Sequence, residues 1–413
     1  MLKRFRGLAI AALLTLAAAA DAHAANVPFF NGPNSGINPL NQGDINAAIS
    51  AVNSAVTPQS MATFSATRNF LDNGAMAVSQ RGTGAIVGGV HTSGCTNITY
   101  VADRWCVDTN VTSGTGKGQI VTSGPTPPLG FQQSMNVWRN SGALTQPVCA
   151  IQEIPTSEAV QLQGQTVTLS FYAQALAGLN ADNGNVINAT IATGTGTDEG
   201  LGTFSTAPAV TPAFTGVATP LAAQAQTITT SWARYTMPAV VIPTTATELA
   251  VEICFTPTAT GAGATDGFAL VGVQLEQGNA ASPFEFRPFA VELQKALRYY
   301  WTITEPAASV SIGPSGQGAS TTTCVLSIPL PVQMRVAPTA LFLGTALSGS
   351  TWTVTHVVTN TALSTPFLAA TAGGSTVNEL NLTATTGAAL TAGQTCTLTG
   401  AGGGAILAAS ADF

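Results

Sequence analysis

Charge is what this 413-residue chain has least of: Asp, Glu, Lys and Arg together supply 8 % of it, with 13 basic against 19 acidic side chains. Binding a phosphate backbone needs clustered Lys and Arg, and no basic cluster is present in a chain of formal charge −6, so nucleic acid is not an expected partner. There are three histidines and no Cys-x-x-Cys, which leaves none of the usual zinc spacings. Runs of Leu or of Lys and Glu at helical spacing are missing, and beyond the N-terminus there is no stretch of about 20 apolar residues for a membrane-spanning helix. The acids Asp103, Asp108, Glu153, Glu158, Glu252 and Asp266 form no pair at the spacing of a glycosidase motif, which needs two carboxylates. No Gly-x-Ser-x-Gly nucleophile elbow occurs, and Gly82-Thr83-Gly84 and Gly402-Gly403-Gly404 lack the Lys-Ser/Thr of a phosphate loop. Catalysis is not expected.

What is present is small and apolar. Hydrophobic residues make up 45 %, with 42 Gly and 23 Pro, and short Val/Ile/Thr-rich runs broken by Gly, Pro and Asn predict an all-β protein. At the start, Lys3, Arg4 and Arg6 precede an apolar run from Leu8 to Ala20, and Ala22-His23-Ala24 fits a small-residue cleavage site; residues 1–24 read as a secretion signal. Six cysteines follow it. An even count in an exported chain points to disulfides, and the preferred pairing is local: Cys95 with Cys106, Cys149 with Cys254, Cys324 with Cys396. Residues 25–65 form a Pro/Asn/Gly-rich arm followed by a short helix, with Asp44 as N-cap and Ile45, Ile49, Val52 and Val56 as a narrow seam. Such a seam suits either a partner helix or the domain that follows.

Residues 66–303 should hold a β domain of about eight strands, among them Met135–Trp138, Gln146–Ile151, Thr166–Ala173, Ala233–Met237, Ala250–Phe255 and Phe268–Leu275. Residues 304–413 should hold a second β domain. Between Asn180 and Thr230 there is no strong hydrophobic period, and the segment reads as long loops with one or two weak strands. From Asn69, N-F-L-D-N-G-A-M-A-V-S-Q-R-G contains an Asn73-Gly74 turn signal, with Met76 and Val78 alternating as on one face of a strand. The densest cluster of charge and aromatics lies in Val273 to Trp301, with Glu276, Glu285, Arg287, Glu292, Lys295 and Arg298 among Phe284, Phe286, Phe289, Tyr299 and Tyr300.

These segments carry a resemblance. N-G…Q-R-G, Y-x-A-D-R-W at Tyr100–Trp105, Q-L-E-x-G, P-F-E-x-R-P-F, E-L and R-Y-Y resemble the opening and closing motifs of a jelly roll found in bacteriophage tail-fibre and related virion surface proteins. P-V-x-M-R-x-x-P-T at Pro331–Thr339 and the terminal Ala411-Asp412 extend the similarity. The resemblance implies a carbohydrate-binding-module-like jelly-roll β-sandwich with a C-terminal β domain, a homotrimer built on the N-terminal helix, and attachment to host surface glycans. The signal and paired cysteines point instead to an exported adhesin or structural surface protein, because virions assemble in a reducing cytoplasm.

Sugar binding needs aromatic faces flanked by hydrogen-bonding side chains. Trp138, with Asn136, Arg139 and Asn140 beside it, is the leading candidate, and Trp105 is a second; Trp232 and Trp352 complete the set. Glu276, Glu285, Arg287 and Arg298 are expected to close the sandwich, with Arg287 paired to Glu276 or Glu285. No cofactor is expected beyond a structural calcium at Asp72, Asn73 or Asp266.

Overall fold

The computed structural model describes residues 68–81, 86–87, 100–109, 116–122, 126–139, 146–179, 183–200, 214–258, 266–304, 311–343, 352–356, 361–363, 370–371, 374–385, 390–400 and 406–412. The expected signal, the arm and its helix, Cys95 and Asn140 lie outside them, as does the Trp352 side chain.

Twelve strands build an antiparallel jelly-roll sandwich: β1 (Ile86–Val87), β2 (Tyr100–Ala102), β3 (Trp105–Thr109), β4 (Gly116–Val121), β5 (Ser134–Arg139), β6 (Val148–Ile154), β7 (Thr166–Ala175), β8 (Val186–Gly194), β9 (Ala218–Thr227), β10 (Ala233–Val241), β11 (Glu248–Phe255) and β12 (Gly267–Gln277). The first sheet runs β1-β4-β5-β12-β7-β10 and the second β2-β3-β6-β11-β8-β9. Strand periodicity decides what faces inward. On β11, Leu249, Val251, Ile253 and Phe255 enter the core between the sheets; on β7, Val167, Leu169, Phe171 and Ala173 meet them from the other side. A short helical turn, α1 (Thr156–Ala159), follows β6, and α2 (Phe289–Leu297) leaves the sandwich.

Two expectations change here. The Asn180–Thr230 segment supplies β8 and β9, of nine and ten residues, paired from Val186↔Thr227 to Thr193↔Ala218. Their inward period is real, through Ile187, Ala189 and Ile191, but Ala and Thr mute it. Conversely, the alternation of Met76 and Val78 does not make a strand. Asn73 has φ 51° and Met76 φ 56°, and the Asn73 side chain holds the turn, its amide donating to the Val78 and Asp103 carbonyls at 2.8 and 2.9 Å.

The rest of the chain adds β13 (Tyr300–Thr304), β14 (Ser311–Gly318), β15 (Thr323–Pro329), β16 (Thr339–Leu343), β17 (Trp352–His356), β18 (Thr361–Leu363), β19 (Ala370–Thr371), β20 (Glu379–Thr385), β21 (Thr395–Gly400) and β22 (Ile406–Ser410). They form a three-stranded sheet, β13-β22-β16, and a seven-stranded sheet, β18-β17-β21-β14-β15-β20-β19. Leu326, Leu380, Leu382, Leu398 and Leu407 lie in their core. Residues 69–413 form one compact unit.

Two disulfides match the local pairing. Cys149 and Cys254 are direct cross-strand partners on β6 and β11, with Cα atoms 4.0 Å apart. Cys324 and Cys396 join the strands on either side of β14, where their ladder partners are Gly318 and Gly316. Cys106 is also disulfide-bonded.

Candidate functional site

The outer face of the first sheet gathers the polar and aromatic side chains that the core rejects. On β5, Met135 and Val137 enter the core, so alternation places Asn136 and Trp138 on the opposite face. Register then sets their neighbours. Lys117 on β4 and Gly267 on β12 flank Trp138, and Gln119 and Ala269 flank Asn136. Across Ala269 comes Gln174 on β7, followed by Tyr172 and, on β10, Arg234 opposite Tyr172. Gly267 and Ala269 form a low floor between taller walls. A Cβ added at Gly267 would meet the Val137 carbonyl oxygen at 2.0 Å and the Trp138 Cα and Cβ at 2.6 Å, so no larger residue fits there.

Three polar atoms on this face are buried and accept or donate nothing within the protein: the Trp138 indole Nε1, the Asn136 Oδ1 and the Gln174 Oε1. Trp138 is 8 % exposed, while Asn136, Gln119, Lys117 and Gln174 are half-buried. An unsatisfied buried polar group costs about 1–3 kcal/mol, and three on one face is a cost that a ligand's hydroxyls could remove. Beside them Phe131 packs against Tyr172, Phe284 and Phe286, with ring centroids 5.6, 5.1 and 4.9 Å away. Gly272, at φ +65°, permits this approach; its Cβ would meet the Phe131 ring at 2.6 Å. The other end of the sheet is closed by the chain after β12, where Ser282 donates to Glu276 through its backbone N–H at 2.8 Å and through its hydroxyl.

Of the expected ligand residues, Asn136 and Trp138 share this face and two do not. Arg139 turns the other way, is fully buried and pairs with Asp266 at 2.5 Å. Trp105 is 0 % exposed within the core, its indole N–H donating to the Asp72 carbonyl at 3.1 Å. Arg139 was proposed from its place beside Trp138, and strand alternation turns it away; the strand of Trp105 packs its tryptophan rather than presenting it. Trp232 is half-buried at the core's edge. Sequence reasoning missed Lys117, Gln119, Gln174, Tyr172 and Arg234, which register alone brings to Trp138.

The second sheet presents a different outer face. Tyr100, Cys106, Cys149, Ile151, Ala192, Phe214, Ala250 and Cys254 form a buried apolar cluster on it. Cys149, Glu252 and Cys254 approach one another as metal ligands do, but the disulfide consumes both thiolates that a metal would need. At the end of this sheet the structure brings together Glu199 and Glu248, a pair that sequence spacing hid. The Glu199 N–H donates to the Glu248 carboxyl, and Glu199 accepts from the Thr215 N–H at 2.6 Å and hydroxyl at 2.7 Å. Burial, with the adjacent Glu199 charge, pushes Glu248 up to about 7, while the Thr215 bonds hold Glu199 below the usual carboxylate range. The two residues meet through the Glu199 backbone N–H, which donates to the Glu248 carboxyl.

Glu285 and Arg287 tie the Asn69–Asn73 segment to the chain beyond β12. Arg287 donates to the Leu71 carbonyl at 3.0 Å and to the Asn69 carbonyl, and pairs with Glu292 at 3.2 Å and Glu285 at 3.4 Å. Glu285 accepts from the Asn69 N–H and Glu292 from the Asn73 N–H, each at 2.7 Å. Glu276 serves Gln274 and Ser282, and Arg298 offers its carbonyl to the Arg335 N–H at 2.7 Å. Arg81 joins Asp103 at 3.1 Å and Asp412, and lies over the Tyr300 ring at 3.6 Å. Asp412 lies just past β22 rather than within a terminal strand. The residues considered for calcium are also occupied: Asp72 by Lys295 at 2.7 Å and Arg104 at 3.5 Å, Asp266 by Arg139, and Asn73 by backbone.

No protein-family model matches the chain, and no curated protein matches it. Among solved structures, it is similar to the enzymatically active domain of bacteriophage CBA120 tailspike protein 4, at 12 % identity and TM-score 0.28 over 47 % of this chain and 22 % of that one. It is also similar to the C-terminal family 22 carbohydrate binding module of Clostridium thermocellum Xyn10B, at 12 % identity and TM-score 0.27 over 43 % and 89 %. A CBM4 structure aligns at 14 % identity and TM-score 0.24 over 50 % and 99 %. Likenesses at these scores carry no inference about a ligand.

Proposed function

We propose that this is a glycan-binding surface protein of the tail-fibre type, a non-enzymatic attachment module that holds host surface carbohydrate on the outer face of its first sheet. The observation that carries the reading is the set of buried, unpartnered hydrogen-bonding atoms around Trp138: the indole N–H and the Asn136 and Gln174 carbonyl oxygens, beside the small residues Gly267 and Ala269. A sugar ring offers apolar C–H groups to an aromatic side chain and hydroxyls that both donate and accept, which is the complement of this set. The sheet holds the side chains in fixed positions, so little ordering entropy is lost on binding.

The test is a glycan array probed with the full chain and with Trp138→Ala and Asn136→Ala/Gln174→Ala variants. Specific binding by the wild type, lost in both variants, is the expected result. Binding that survives in both variants would place the ligand elsewhere.

A second reading, an exported adhesin or structural surface component, is favoured by the disulfides Cys149–Cys254 and Cys324–Cys396, which persist in oxidising compartments. Processed protein beginning near Ala25 in a culture or periplasmic fraction, free of particles, supports it; co-purification with virions supports the first. Incubating the protein with purified envelope polysaccharide should release no reducing ends, and their release would replace both readings with a glycosidase.

A further inference from the structure

Most of the cationic side chains among the described residues are paired with carboxylates of the protein itself. Arg81, Arg104, Arg139, Arg287, Lys295 and Arg335 each sit on a carboxylate. Among the described residues Lys117, Arg234 and Arg298 do not, and Lys117 and Arg234 stand on the outer face of the first sheet. Lys117 is the β4 neighbour of Trp138. Arg234 is the β10 neighbour of Tyr172, where its guanidinium donates to the Ser170 hydroxyl at 2.9 Å and to the Ser282 carbonyl, both neutral oxygens, while its Nε is buried with no acceptor. The acid near them on this face, Glu276, is turned to Gln274 and Ser282.

From this placement, and resting on the glycan reading above, we infer that the face takes an anionic glycan, laid diagonally across the sheet from Lys117 past Trp138 to Arg234. In a chain of net charge −6 six of the described cations are paired with carboxylates. Lys117 and Arg234, without carboxylate partners and beside an indole N–H and two unpartnered amide oxygens, make a strip of cations short of hydrogen-bond partners. The order β4-β5-β12-β7-β10 separates the two cations by four strand spacings, about 19 Å, so the strip fits an oligosaccharide rather than a single sugar. Arg234, held by two oxygens, presents its remaining N–H groups with little freedom to lose, which favours a planar acidic group.

The experiment measures binding of the full chain to uronate-containing, sialylated, and sulfated or phosphorylated glycans, each beside its uncharged counterpart prepared by carboxyl reduction, desulfation or dephosphorylation. The expected result is binding in at least one charged arm, at least tenfold weaker once that charge is removed and weakening steeply with added salt. The arm that binds identifies the source of the charge. Lys117→Gln and Arg234→Gln should each weaken it about tenfold, with Lys117→Arg restoring most of the loss. Equal affinity for charged and uncharged partners, or binding insensitive to both Gln variants, overturns the inference and leaves the glycan reading standing. Binding to no arm, with the wild type also silent on a neutral array, removes both.

Discussion

At the junction under the sandwich, Arg287 meets two backbone carbonyls and two carboxylates, and each carboxylate also takes a backbone N–H from the Asn69–Asn73 segment. On the outer face of the first sheet, the Trp138 N–H and the Asn136 and Gln174 oxygens meet nothing from the protein. Both regions are polar and largely buried, and the chemistry of their side chains does not separate them. What separates them is degree: Arg287 leaves its Nε alone without a partner, while on the face three neighbouring side chains each leave a polar atom without one. A network that satisfies its own donors and acceptors stabilises the fold, because each lost partner leaves a buried charge or dipole behind. A face that leaves them open costs stability until something else fills them, which is the usual signature of a binding surface.

The largest effect should come from the junction. Arg287→Ala leaves Glu285 and Glu292 buried beside each other without their cation, and should lower stability by about 3–5 kcal/mol, read as a shift in the denaturation midpoint; a loss below about 1 kcal/mol would mean that the network is ornamental. Next is the staple across the second sheet. Cys149→Ala/Cys254→Ala opens a link spanning 105 residues and should cost about 3–4 kcal/mol, again in denaturant unfolding, with glycan affinity unchanged because the disulfide lies on the opposite face. Trp138→Phe should behave in the contrary way. It keeps the ring and removes an unpartnered N–H, so stability should hold or rise by up to about 1 kcal/mol while glycan affinity falls about tenfold.

The smallest effects are those of pH, where Asp72 at the junction and Glu248 at the end of the second sheet should respond with opposite signs. Burial acts to raise Asp72, but Lys295 and Arg104 outweigh it and hold its carboxyl below 3.8, so its contribution is present at neutral pH and fades as pH falls below that value. Glu248 is pushed up to about 7 from 4.5, by burial first and then by the Glu199 charge. The folded state therefore binds its proton more tightly than the unfolded chain does, and stability falls as pH rises from about 4.5 to 7. Glu248→Gln should flatten that slope; an unchanged slope would show that Glu248 does not take up its proton on folding in this range.

The sequence made the junction far more legible than the face. Glu285, Arg287 and Glu292 lie within eight positions of one another, and a cluster of charge in so uncharged a chain announces itself. Their partners at Asn69 to Asn73 were flagged for a turn, though the strand read into Met76 and Val78 was displaced by the Asn73 side chain. The face is assembled by register from five strands, and no window of sequence places Lys117 and Gln174 beside Trp138. Arg139 adjoins Trp138 along the chain, but on a strand consecutive residues point to opposite sides; Trp105, which its strand could either pack or present, is packed in the core. The small-residue strands β8 and β9 were muted for a related reason: Ala and Thr keep the period of two but carry little of its hydrophobic contrast.

The most direct test of the account is amide hydrogen exchange on the full chain with and without a glycan that it binds. Protection on binding should concentrate in residues 116–121, 134–139, 172–176 and 266–270, the strands under the open face, and leave 148–154 and 248–255 of the second sheet unchanged. Protection confined to the second sheet or to the C-terminal sheets would contradict it.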